Sequence, residues 1–77
     1  MKQIAEDMNL WRADAAGEAL ERFTEIAGGD LHAEREDMIG DLLCNLGHYC
    51  DLHKLDWEKL VTRARANIEH ERKYPNE

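Results

Sequence analysis

No part of the chain constrains its fold more than Asp37 to His53, which reads Asp-Met-Ile-Gly-Asp-Leu-Leu-Cys-Asn-Leu-Gly-His-Tyr-Cys-Asp-Leu-His. Wound as a helix, it places Met38, Ile39, Leu42, Leu43, Leu46, Tyr49, Cys50 and His53 on one broad face. Asp37, Asp41, Cys44, His48 and Asp51 recur on the opposite side at spacings of four, three, four and three. The pattern is that of an amphipathic helix with a packing side and a polar side open to chemistry. Seventy-seven residues make one small domain around it. Ala, Leu, Glu and Arg, all good helix formers, dominate the remainder, while Val, Ile and aromatic residues are too scattered for strands. The expected fold class is all-α.

The flanking sequence reads as two further helices. Residues 10–27 form the first, with Ala13, Ala16, Ala19, Leu20, Phe23, Ile26 and Ala27 as its buried stripe and Asp14, Glu18, Glu21 and Glu25 opposite. Asp7 or Asn9 caps its start, and Gly28-Gly29 ends it, since glycine takes the left-handed conformation without steric cost. Residues 1–8 are an arm or an extension of this helix. Asp30 caps a turn leading into the second helix, expected over 33–54 with Glu34, Glu36 and Asp37 favouring the dipole at its start. The third spans 56–73, with Asp56 as N-cap, Leu55 stapled against Leu60, and Trp57, Leu60, Val61, Ala64 and Ile68 as a narrow apolar stripe. Pro75 stops it, leaving the last three residues loose. The join between the second and third helices is short enough to require an antiparallel hairpin. A chain of this length buries only roughly 60–65% of its unfolded surface, so a homodimer that completes a larger bundle is expected. Gly40 and Gly47 lie seven apart on one side of the second helix, where a neighbouring helix or ligand could approach closely. The alanine-rich face of the first helix is the other surface suited to dimerisation.

Charge narrows the partners. With 17 acids against 10 bases the net charge is −7, the opposite of what phosphate recognition requires, so direct nucleic-acid binding is disfavoured. Such a surface suits divalent cations, a basic protein partner, or mimicry of a nucleic acid. No apolar run approaches the ~18 residues of a membrane span, and Met1 to Asp7 lacks a signal-peptide core. Cys44 and Cys50 are six residues apart on one helix. Their α-carbons would be about 9 Å apart, beyond disulfide reach, so they read as free thiols in a reducing, cytoplasmic setting.

Three constellations could carry chemistry. Glu18, Glu21 and Glu25 on the first helix and Asp37 and Asp41 on the second are the oxygen ligands that Mg²⁺ asks for in a helical bundle, although a solvated polar face is the plainer reading. Asp41, Cys44, His48 and Asp51 align along one helix, but zinc normally draws on a second chain segment, and only His70 is at hand. A Cys–His catalytic pair there lacks an orienting third group and an oxyanion hole. Trp11 and Trp57 are core residues or partner-binding anchors.

The runs Arg12-Ala-Asp-Ala-Ala-Gly-Glu-Ala-Leu-Glu-Arg-Phe23, Asp41-Leu-Leu-Cys-Asn-Leu-Gly-His-Tyr-Cys50 and Leu55-Asp-Trp57, with Ala64-Arg-Ala66 and Glu69-His-Glu71, carry a resemblance. Over Arg12 to Glu71 the chain resembles a group of small helical proteins encoded by phages, prophages and plasmids, to which no activity is attached. More remotely it is similar to the all-α nucleotide pyrophosphohydrolases of the MazG type. Those hold Mg²⁺ around a nucleoside triphosphate with Glu-x-x-Glu on one helix and Glu-x-x-Asp on the next. Glu18-Ala-Leu-Glu21 matches the first motif. In the second, Asp41 matches but Met38 stands where glutamate belongs, and Glu34-Arg-Glu-Asp37 fits one turn too early. Small size, acidity, the lack of an intact site and the phage-type resemblance together point to an accessory or anti-defence protein that binds a host or phage partner through protein–protein contacts, without a cofactor. Trp11, Asp14, Glu18, Glu25, Gly40, Cys44, Gly47 and His48 are its expected contact residues. The remoter likeness implies instead a Mg²⁺-dependent hydrolase with Glu18, Glu21, Asp37 and Asp41 as ligands. A nucleic-acid-mimicking inhibitor using the acidic stripes is a third reading.

Overall fold

A computed structural model describes residues 7–76 of the chain. Three helices follow one another, α1 (Met8–Ala27), α2 (Arg35–Leu52) and α3 (Trp57–Lys73), with no strand among the described residues. The protein is an all-α, three-helix domain. Most of residues 1–8, read as an arm or helix extension, lies outside the described residues; Met8 already belongs to α1.

Local chemistry sets each boundary. Asp7 is extended, and its carboxylate accepts the Asn9 N–H at 2.9 Å, so Asp7 is the cap and Asn9 is left for another task. Gly28 ends α1 in the left-handed region at φ 87°, donating its N–H to Thr24 O at 2.8 Å. Asp30 and Glu34 then cap one another across a single turn. The Asp30 carboxylate accepts the His32 and Ala33 N–H groups at 3.1 and 3.3 Å, while Glu34 Oε1 accepts the Asp30 N–H at 3.0 Å. This reciprocal box uses residues 31–33, which is why α2 starts at Arg35 rather than 33. At the other end α2 stops at Leu52 instead of 54. Lys54 is left-handed at φ 59°, Leu55 N–H donates to Cys50 O at 2.8 Å, and Lys54 N–H donates to Asp51 O at 3.3 Å. That pair of bonds is a Schellman ending, with lysine where glycine is usual. Asp56 caps α3 through the Lys59 N–H at 3.1 Å.

The helices meet at their ends. Near the α1–α2 turn, Thr24 and Met38 are buried, and Gly29 lies so close to Met38 that an added Cβ would come within 2.6 Å of its sulfur. Near the α2–α3 turn, Cys50 is buried and the Trp57 ring lies 3.9 Å from where a Gly47 Cβ would be. The third corner joins the chain's two ends. Asn9 Nδ2 donates to Glu71 O at 2.8 Å, Arg12 Nη1 donates to Pro75 O at 2.8 Å, and Met8 N–H donates to Asn76 Oδ1 at 3.0 Å. Helices standing side by side would leave the start of α1 about 25 Å from the end of α3. These bonds close that distance, so the three helices run as the sides of a triangle, within extents of 36 × 30 × 19 Å. Pro75 and Asn76 are therefore held, not loose as the sequence suggested.

A triangle packs at its corners and little elsewhere. Among the described residues Met38 and Cys50 are the buried apolar ones, and Thr24 is buried with its hydroxyl donating to Leu20 O at 2.7 Å. The alanine stripe expected to be buried on α1 is exposed at Ala13, Ala16, Ala19 and Ala27, as is Ile26; Leu20 and Phe23 are half-buried. The apolar face of α2 is covered at Met38 and Cys50 and partly at Leu42, and bare between. On α3, Trp57, Leu60 and Val61 are half-buried, while Ala64 and Ile68 are exposed. The radius of gyration is 14.4 Å, where a compact domain of this length has about 11.5 Å. Seventeen to twenty residues per helix give sides too long for one corner contact to cover.

Candidate interaction surface

Between its two corners α2 presents Ile39, Leu43 and Leu46, exposed by 41, 50 and 43%. Their spacing of four and three sets them on one stripe, which runs on into the buried Cys50. Tyr49, exposed beside the stripe, stacks on His53 one turn later at 4.3 Å between ring centroids. His53 thus caps α2 and packs on a neighbour. From Leu42 to Cys50 there is no Asp, Glu, Lys or Arg. In a chain that is 35% charged, this is the longest stretch without an acid, lysine or arginine. The accessible area is 6528 Å², against about 4,800 Å² for a compact protein of 8.9 kDa.

The two glycines of α2 differ. Gly47 is half-buried against Trp57, so the close approach expected there comes from α3. Among the described residues, nothing beyond its own stretch of helix lies within 4 Å of a Cβ placed on Gly40. Cys44 and His48 are exposed, and with Leu43, Gly47, Asp51 and Trp57 they line a shallow groove of about 260 Å³. Cys44 and Cys50 are both free thiols. Trp11 is half-exposed on α1, away from Trp57 at the α2–α3 corner.

The acidic residues do not converge. Asp14, Glu18, Glu21 and Glu25 are exposed along α1, and Glu25 Oε1 accepts from Arg22 at 3.0 Å. Glu21 and Glu25 border one surface hollow with His32, whereas Asp37 borders another with Glu34 and Glu36. Asp41 is exposed on α2. Among the described residues no three His, Cys, Asp or Glu side chains come together as metal ligands, so Glu18, Glu21, Asp37 and Asp41 do not form one ligand set here. The arrangement offers separate patches of charge and one apolar stripe. No helix among the described residues is long and apolar enough to cross a membrane.

Arg12 was not singled out by sequence pattern, yet it organises the third corner. Its Nη1 donates to Asn9 Oδ1 at 2.7 Å as well as to Pro75 O, and its Nε lies 3.8 Å from Glu71 Oε2. The sequence places the exposed Ile39, Leu43 and Leu46 on a packing side, since periodicity reports that a face is apolar and not what covers it. No protein-family model, curated protein or solved structure matches the chain.

Proposed function

We propose that the chain is a small helical interaction protein, one of the accessory or anti-defence proteins of phages and mobile elements that it resembles, acting in the cytoplasm on a host or phage protein. The observation that supports this reading most is the uncovered apolar stripe of α2 in a domain with few buried residues. Monomeric proteins seldom leave contiguous apolar surface open unless something binds it. Self-association belongs to the same reading, since a triangle of helices gains most of its missing burial from another chain. Trp11 and the acids of α1 supply a second, differently built face for a partner. Tryptophan is enriched among residues that anchor interfaces, and Asp14, Glu18 and Glu21 set negative charge around it.

The test is affinity capture by tagged chain from a host carrying the parent element, with the captured protein then purified and titrated. A stoichiometric complex that Trp11→Ala weakens at least about tenfold supports the reading. Absence of any protein partner, together with Mg²⁺-dependent release of pyrophosphate from nucleoside triphosphates that Glu21→Gln abolishes, would replace it with the hydrolase.

A further inference from the structure

We infer that the α2 stripe of Ile39, Leu43 and Leu46 is the contact surface for a second copy of this chain, so that α2 packs on α2 across a two-fold axis. The inference deepens the proposed interaction role by naming the occupant of that stripe. Three observations select a second copy.

The first is charge. At −7, two copies repel wherever their acidic faces meet. They can approach without opposing acids only on a neutral surface, and Leu42 to Cys50 supplies one. A basic partner would find no counter-charge within that window. An apolar, uncharged surface fits, and the chain carries one of its own.

The second is periodicity. Ile39, Leu43, Leu46 and Cys50 repeat at four, three and four, the spacing by which two helices interlock along a seam. Such a seam is self-complementary, as a two-fold contact requires. Gly40 borders it, and beyond its own stretch of helix no described residue comes within 4 Å of where its Cβ would be. Glycine is costly in a helix interior, and at this position it leaves room for a neighbouring backbone.

The third is area. The accessible surface exceeds that of a compact protein of this mass by roughly 1,700 Å². A stable interface takes about 800 Å² from each partner, and the excess, spread over the whole open triangle, leaves surface for one, of which the α2 stripe is a part.

Sedimentation equilibrium and thermal melts over a range of concentration test this. The expected results are a mass of twice 8.9 kDa and a Tm that rises with protein concentration. Leu43→Glu should weaken association at least about a hundredfold, because across a two-fold axis the substitution enters twice. Ile26→Glu, at an apolar residue of α1 that is more exposed still, should leave the mass doubled. If Leu43→Glu loses its helical signal while the unaltered chain melts in a concentration-dependent way, the chain needs its partner copy to fold, which also supports the inference. A monomeric mass with a concentration-independent Tm overturns it, as does dissociation by Ile26→Glu but not by Leu43→Glu. None of these readings depends on a foreign partner, so the dimer can fail while the interaction role stands, and the reverse.

Discussion

Lys54 shows how much one backbone angle contributes at the residue scale. It holds φ 59° at the end of α2, where the Schellman bonds of Leu55 and Lys54 turn the chain toward α3. A residue with a Cβ pays roughly 1–2 kcal/mol for the left-handed region, and glycine does not. Glycine also frees the unfolded chain, which offsets part of the gain. Lys54→Gly should therefore stabilise the fold by about 0.5–1 kcal/mol, a rise of a few degrees in Tm by calorimetry. A lowered Tm would mean that the lysine side chain contributes something its backbone angle does not reveal. Gly28 makes the same turn at the end of α1 with the usual residue, and the Gly-Gly pair made that ending legible in advance. Lys54 carried no such mark, so the helix was read two residues too long.

At the scale of the element, caps decide where helices begin: Asp7 caps α1 and Asp56 caps α3, while Asp30 caps the turn that precedes α2. Asp56→Ala removes the acceptor for the Lys59 N–H and should cost about 1 kcal/mol, read as a lower urea midpoint at unchanged slope. Asp56→Asn keeps an acceptor and should recover most of that loss, which separates capping from the charge at the helix dipole. The helices were legible because caps, glycine stops and apolar spacing are local. Their partners were not. Periodicity put Ala13, Ala16, Ala19 and Ile26 on a buried stripe, whereas these four are exposed, with Leu20 and Phe23 half-buried and Thr24 buried. The acidic pairs stand apart for a related reason. Glu18-x-x-Glu21 guarantees two carboxylates on one face of α1, but whether Asp37 and Asp41 join them depends on how α2 is splayed, and no spacing within a helix encodes that angle.

The whole molecule closes through its third corner, and that corner sets its shape. Arg12 binds Asn9 on its own helix, Pro75 beyond α3 and Glu71 within it, so one guanidinium joins both ends of the chain. The charge pair itself is long and partly solvated, with about a third of each side chain exposed, and contributes little. The hydrogen bond to the Pro75 carbonyl carries more, since a charged donor on a neutral acceptor is worth about 1.5–3 kcal/mol when shielded and less here. Arg12→Ala should then cost about 1–2 kcal/mol locally. Arg12→Lys should restore only part of it, because an ammonium can donate to Asn9 Oδ1 and the Pro75 carbonyl from one nitrogen, as Nη1 does, but has no second nitrogen to lie beside Glu71. The other two corners rest on Met38 and Cys50 and share no side chain with this one. Opening the Arg12 corner should consequently leave them shut. Hydrogen exchange would show this as faster exchange in the last turn of α3, around Tyr74 N–H, with protection near Met38 and Cys50 unchanged. Uniformly faster exchange in all three helices would instead make the triangle one cooperative unit, in which the ends of the chain hold the middle together.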